Sequence, residues 1–293
     1  MSKSNMQKFT VKDFQKTFPD DNACLDYIRQ QKFPERIDCP SCKKNALFHK
    51  ISERKSYACD YCGFQIAPMA GTIFEKSSTP LTLWFYVIYL MAQTRGGISA
   101  KQIERELGVT YKTAWRMCKE IRHALNENLS PFGGDVELDE SYFGGISKGK
   151  RGRGADKKIP VFGIAQRQGV VKAVVVPNVR RNTIMPFVES YVLKGTHVHT
   201  DEMRTYNTLP AMGYSHSNIP HAQKVYVMGN VHTNTIEGFW SNVKNGIRGV
   251  YHAVSSKYLQ TYLNEYSFRY NHRKDITPMF WSFLKRSVFH RAS

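Results

Sequence analysis

Long hydrophobic runs are what this sequence most plainly lacks. No window reaches the roughly 18 consecutive apolar residues of a membrane span. The most apolar stretch, Leu81 to Ala92, has the length of a buried helix, so no membrane partner is expected. The opening residues, MSKSNMQKFTVKDF, hold no apolar stretch of the kind a secretory leader needs, so the chain is expected in the cytosol. Acidic residues are scarce, with 24 Asp and Glu against 42 Lys and Arg and a formal net charge of +18. The excess is spread along the chain rather than confined to a tail, which points to a polyanion, most often nucleic acid. No internal repeat is visible. Cysteines number six, and four of them fall in two Cys-x-x-Cys pairs. In a reducing compartment such pairs mean metal rather than disulfides.

The 293 residues suggest about two domains. Apolar spacing through residues 11 to 33 (Val11, Phe14, Phe18, Cys24, Leu25, Ile28) predicts two short helices leading into the first cysteine pair. From Pro34 to Pro68 the chain is too poor in aliphatic residues for a core of its own, as a metal-stapled module would be. Residues 1–70 therefore read as a helical lead-in with such a module, residues 71–130 as a helical region and residues 131–293 as a mixed α/β domain. Within that last part, runs at Val136 to Phe143, Ile159 to Ala165, Val170 to Val176 and Thr196 to Thr200 predict strands. Asn182 to Val192 and Thr235 to Ile247 predict helices. Leu129 to Gly134 reads as a linker.

Cys39-Pro-Ser-Cys42 and Cys59-Asp-Tyr-Cys62 have the spacing of a zinc ribbon, in which two knuckles bring four thiolates to one tetrahedral Zn²⁺. Lys43, Lys44 and Lys55 lie nearby to offset the tetrathiolate charge. Cys24 and Cys118 sit among apolar helical residues and are expected in the core.

Residues 97–125 carry a helix-turn-helix pattern. Ser99 and Thr110 are natural N-caps, Gly108 permits the turn, and Ile103, Leu107, Ala114, Met117 and Ile121 face inward. Such a second helix would present Tyr111, Lys112, Thr113 and Arg116 to a major groove. Further on, the loop from Ser147 to Lys158 is rich in glycine and basic residues. Its Lys148, Lys150, Arg151 and Arg153 would track a DNA backbone by charge, or the loop is only a solvated one.

Asp139 lies within VELDESYFGG, Asp201 at the end of the strand THVHT, and Glu237 on the helix HTNTIEGFWSNVKNG. Lys244 follows Glu237 by about two helical turns and shares its face. In-line displacement at a phosphodiester calls for two metal ions, and carboxylates are the hard oxygen ligands that Mg²⁺ takes. Asp139 would bridge both ions, Asp201 and Glu237 would each hold one, and Lys244 would bind a phosphate. Each acid also has a plain structural reading: Asp139 solvated at a strand end, Asp201 capping a helix, Glu237 in a capping box with Asn234 as N-cap. Glu140 and Glu202 compete with the two aspartates. Trp240 reads as core packing, or as a platform for an unpaired base.

LDESYFGG, HTDE, HTNTIEGFWSNVKNGIRGVYH and FRYNHR (268–273) together resemble bacterial insertion-sequence transposases of the D-D-E class. The resemblance is to the ISXO2-like subgroup with an N-terminal zinc ribbon, to which the eukaryotic Merlin transposases are related. It implies a ribonuclease-H-like catalytic domain with a mixed central sheet, Mg²⁺ or Mn²⁺ beside the structural Zn²⁺, and a homo-oligomer holding two double-stranded DNA ends and a target. It also implies metal ligation by Asp139, Asp201 and Glu237, an accessory role for Lys244, and a protein associated with the nucleoid. Asn serves as third ligand in some members, which keeps Asn234 in view. Two other functions fit the same motifs, a DNA-binding regulator derived from a transposase and a ribonuclease-H-like nuclease that never joins strands.

Overall fold

The computed structural model describes residues 7–144, 158–219 and 232–290. Its helices and strands, in chain order, are α1 (Val11–Thr17), α2 (Asp21–Lys32), β1 (Arg36–Asp38), β2 (Asn45–Lys50), β3 (Tyr57–Cys59), β4 (Gln65–Ile66), α3 (Leu81–Gln93), α4 (Ala100–Leu107), α5 (Tyr111–Ala124), β5 (Asp135–Phe143), β6 (Ile159–Gln166), β7 (Val171–Val175), α6 (Arg181–Tyr191), β8 (His197–Asp201), β9 (Ser215–Ile219), α7 (Asn234–Gly246), α8 (Ser256–Asn271) and α9 (Met279–Phe289). Among the described residues, no helix is long and apolar enough to cross a membrane. The chain divides into two compact units, Met1–Leu125 with Lys274–Ser293, and Asn126–Arg273.

In the first unit α1 starts at a capping box between Thr10 and Asp13, and the Asp20 carboxylate caps α2. Their apolar faces bury Phe14, Phe18, Cys24, Leu25 and Ile28, so Cys24 lies in the core as its neighbours imply. The apolar helix α3 has the bounds its composition predicts and buries seven residues. Here α9 departs from the sequence reading, which carried the α/β domain to residue 293. Its Phe280 stacks on Phe9 with ring centroids 4.7 Å apart and meets Phe14 edge-on, and Phe283, Leu284 and Val288 are buried with it. An aromatic helix face has to be covered, and α1 and α3 cover it here.

Helices α4 and α5 start at Ser99 and Thr110, whose hydroxyls accept from the Gln102 and Thr113 amides. Between them Gly108 adopts φ +67°, the left-handed conformation that glycine closes a helix with at least cost. Ile103, Ala114, Met117, Cys118 and Ile121 are buried.

The second unit is built on a mixed five-stranded sheet of order β7-β6-β5-β8-β9. Strands β5, β6 and β7 pair antiparallel, while β8 is parallel to β5 and β9 to β8. One face packs Val136, Leu138, Phe162 and Ile164 against Ile184 and Val188 of α6. The other packs Val161, Ala165, Val171 and Ala173 against Ile236, Phe239, Trp240 and Val243 of α7 and Leu259 and Leu263 of α8. Because side chains alternate along a strand, Asp135, Glu137 and Asp139 fall on the α7 face. The stretch read as a linker is instead part of this unit. Phe132 is buried in the α6-side core, and its backbone bridges to Val192.

Candidate functional site

The two cysteine knuckles have the same local form. Cys39 N donates to Lys44 O and Cys59 N to Phe64 O, while Lys43 N returns to Cys39 O and Gly63 N to Cys59 O. Lys43 and Gly63, at equivalent places, are both left-handed, with φ 61° and 72°. The four-stranded antiparallel sheet β1-β2-β3-β4 holds the knuckles face to face. Cys39 Sγ lies 3.6 Å from Cys62 Sγ and Cys42 Sγ 3.9 Å from Cys59 Sγ, and all four sulfurs fall within 4.8 Å of one another. Tetrahedral bonds of about 2.3 Å set sulfurs about 3.8 Å apart, so the donors fit Zn²⁺. The Phe64 amide holds the Cys62 thiol down to about 7, closer to the thiolate that binds metal.

The acids gather where β5, β8 and α7 meet. Val136 pairs with Val198 and Glu137 with His199; continuing this parallel register sets Asp139, which stands in the middle of β5 rather than at a strand end, beside Asp201 at the carboxyl end of β8. Burial, then the charge of Asp201 and that of Glu237, push the Asp139 carboxyl up to about 7; the Glu140 amide and Lys244 pull the other way. The four sequence-predicted groups are thus close enough to sense one another. The same site lowers the proton affinity of Lys244 through burial, opposed by Asp139 and reinforced by Arg248 and Lys158. The three carboxylates form an oxygen donor set that fits a hard divalent cation.

The competitors separate by direction. Glu140 alternates with Asp139 and turns to the opposite face of the sheet, where the buried Tyr206 hydroxyl donates to it. Asp201 accepts from Met203 N at 2.9 Å, a turn into the short 3₁₀ helix Arg204–Thr208 that occupies one carboxylate oxygen. The capping box drawn on Asn234 is not formed. Thr233 occupies the N-cap position, Asn234 is the first helical residue, and Glu237 accepts from the Thr233 hydroxyl at 2.7 Å.

What caps α7 is a residue the sequence reading passed over. Glu137, fully buried, accepts from Thr235 N at 2.8 Å, Ile236 N at 3.0 Å and the Thr235 hydroxyl at 3.0 Å. Arg167 Nε pairs with it at 2.8 Å, and Arg167 also holds the His232 carbonyl. One carboxylate therefore neutralises the positive end of the helix that carries Glu237 and ties that helix to the strand that carries Asp139. The signal was there: an acid two residues before Asp139, on the same face of the strand.

Trp240 is 3 % exposed and packs over Gly163, where a Cβ would stand 2.4 Å from its ring; it is core, with no face for a base. Gly163 is the cross-strand neighbour of Asp139, so this close approach sets how α7 lies on the strand. In the FRYNHR motif Asn271 clamps Val171 through both its amide groups, and Arg273 bonds the Gly169 carbonyl. That motif holds β7 to α8.

Tyr111 and Lys112 are exposed at the start of α5. Thr113 serves the cap, with its hydroxyl 3.0 Å from that of Thr110. Arg116 is engaged within its own unit, with its guanidinium over the Trp84 ring and within 3.3 Å of Ser77 Oγ. Lys148, Lys150, Arg151 and Arg153 lie outside the described residues. Beside the acids, Tyr142, Lys244, Arg248 and His252 line a cavity of about 100 Å³.

A family model described as an ISXO2-like transposase domain matches residues 131–271, and one described as a transposase zinc-ribbon domain matches residues 19–65. The first span contains Asp139, Asp201, Glu237 and Lys244, and the second all four knuckle cysteines. The chain is similar to an uncharacterized protein in the transposable element ISH50 of Halobacterium salinarum, at 28 % identity over 87 % of this chain and 92 % of that one. It is also similar to an uncharacterized transposase-like protein of Haemophilus influenzae, at 30 % identity over 34 % of this chain and 80 % of the other.

Proposed function

The chain belongs to the ISXO2-like family of insertion-sequence transposases with a zinc ribbon, and on that premise we propose that it binds the terminal inverted repeats of a mobile element and cuts and joins DNA strands there. The observation that carries this reading is the placement of the acids: parallel register sets Asp139 beside Asp201, and Glu137 ties the start of the helix that carries Glu237 to the same strand. Carboxylates gathered in this way would hold the divalent ions that phosphoryl transfer uses.

Asp139, Asp201 and Glu237 are the residues that would hold Mg²⁺ or Mn²⁺. Ions bound there would activate water or a 3′-hydroxyl and stabilise the leaving oxygen. The chain's own residues do the rest. Asp139, with Asp201 beside it in register, would give up its proton on taking an ion. The Thr233 hydroxyl orients one oxygen of Glu237, and Glu137 anchors the helix that presents it. Lys244, with Arg248 close by, supplies positive charge for a phosphate of the bound end.

In this reading the second unit is a ribonuclease-H-like domain, α4 and α5 are a DNA-binding helix-turn-helix with Tyr111 and Lys112 toward the groove, and the ribbon is a second contact. The basic excess favours double-stranded DNA for both element ends and target, held by a homo-oligomer at the nucleoid. Glu237→Gln is the test. It should abolish cleavage and joining of cognate ends in Mg²⁺ with end binding retained, because the amide keeps the shape and loses the charge. An active Glu237→Gln protein beside an inactive, folded Asn234→Ala protein would move the third ligand to Asn234. Cleavage without joining by the wild type would make the protein a nuclease.

A further inference from the structure

A second group of metal donors lies on the same sheet. Asp135 opens β5 and pairs in parallel register with His197, and His199 stands two residues further along β8. Their donor atoms lie within 4.8 Å of one another. His199 Nε2 is 2.8 Å from Asp135 Oδ1, and His197 Nδ1 is 3.5 Å from the same oxygen. Asp139 and Asp201 come four residues after Asp135 and His197, roughly 13 Å along the strands, and Asp201 comes two after His199, roughly 7 Å, so the two groups are neighbours on one sheet face with no residue in common.

Each imidazole has a reason to present the nitrogen it does. His197 Nε2 is 2.8 Å from the Ser217 hydroxyl on β9, which leaves Nδ1 facing Asp135. Ser217 thereby fixes the ring so that Nδ1 faces the Asp135 carboxylate in either tautomer. His199 is 1 % exposed, its Nδ1 is buried without a hydrogen-bond partner, and its Nε2–H donates to the Asp135 carboxylate at 2.8 Å, so a metal taken up here would displace that proton. The outer part of the site is open, since the Asp135 and His197 side chains are 51 % and 40 % exposed. A metal would have entry and a place for water.

We propose that Asp135, His197 and His199 form a second transition-metal site, binding Zn²⁺ or an ion of similar softness through one carboxylate oxygen and two imidazole nitrogens. Bonds of about 2.0 to 2.1 Å in tetrahedral geometry space donors about 3.3 to 3.4 Å apart, so the 3.5 Å contact already fits and the 2.8 Å contact lengthens by about half an ångström. Two imidazoles select zinc-like ions over the hard Mg²⁺. The ion would pin β5 to β8, the two strands that carry Asp139 and Asp201. Ser217 orients one ligand from the next strand, as second-layer groups do around zinc.

The experiment measures bound zinc per full-length chain by mass spectrometry after dialysis against buffered micromolar Zn²⁺. It uses an Asp139→Asn background so that the acid cluster does not contribute. Two equivalents are expected, one in the ribbon and one here. Adding His197→Ala should remove one equivalent and leave the ribbon's, and adding Asp135→Asn should do the same. Circular dichroism and the retained ribbon zinc report that each variant is folded. One equivalent in the Asp139→Asn background, or two that survive both substitutions, would overturn the proposal.

Discussion

If the Asp139 carboxyl is held protonated by burial and by its neighbours, removing its charge should make the metal-free protein more stable while destroying its activity. The folded group binds its proton near pH 7 against 3.8 for an ordinary aspartate. Folding thus benefits from that proton fully below about pH 3.8, and the benefit is lost as pH rises through about 7. At about 1.4 kcal/mol per pH unit the whole span is about 4 kcal/mol, of which about 2.5 kcal/mol falls between pH 5 and 8. Solvent at the site lowers this to about 1 to 2.5 kcal/mol. Asp139→Asn lacks this component. The assay is urea unfolding of both proteins, zinc-loaded and without added divalent ions, at pH 5 and pH 8. Taking the difference between the two proteins cancels the histidines. Asp139→Asn should gain on the wild type by about 1 to 2.5 kcal/mol between the two pH values, and added Mg²⁺ at pH 8 should reverse the order. A difference that stays the same at both pH values would refute the account of Asp139.

Three further expectations come from other parts of the chain. Glu137→Gln sets an amide N–H against the donors of α7 or Arg167 and removes the charge both need. It should cost about 2 to 4 kcal/mol and on the order of 10 °C in melting temperature, with cleavage falling as α7 loosens; a shift under about 1 °C would refute the anchoring role. Cys39→Ser should unfold the ribbon and weaken end binding while the Asn126–Arg273 unit keeps its own melting transition. End affinity, measured from about 50 to 200 mM salt, should fall by orders of magnitude as counterions are released, and a flat response would exclude a phosphate backbone as the main contact.

Local signals in the sequence were read close to where the structure puts them. Helix α3 has its predicted ends, Ser99 and Thr110 cap as expected, and the strands through Asp139 and Asp201 begin and end within one or two residues of their apolar runs. These features depend on neighbours in the chain. Strand β9 was not read, because SHSNI has none of the apolar alternation of a half-buried strand; it earns its place by parallel pairing with β8. Helix α9 was assigned to the wrong unit because its aromatic face carries no address. Only the meeting with Phe9 and Phe14, some 270 residues earlier, shows where it packs. The Asp135, His197 and His199 group was invisible for the same reason, since parallel register brings together residues far apart in sequence.

The acid cluster shows why residue type and spacing alone do not identify a reactive carboxylate. Glu137 and Asp139 are both acids on one face of β5, two residues apart, and a pattern search would score them alike. Their surroundings are opposite. Glu137 is matched inside the protein by two helix amides, a hydroxyl and the Arg167 guanidinium, so its charge is spent on holding α7. Asp139 meets the charges of Asp201 and Glu237, with Lys244 set against them. A buried charge matched by protein groups is a scaffold element, and one opposed by like charges is a candidate for a functional role. That difference places Glu137 in the scaffold and supports the proposed role of Asp139. It also puts the two in one device, because the helix that Glu137 anchors is the helix that brings Glu237 to Asp139.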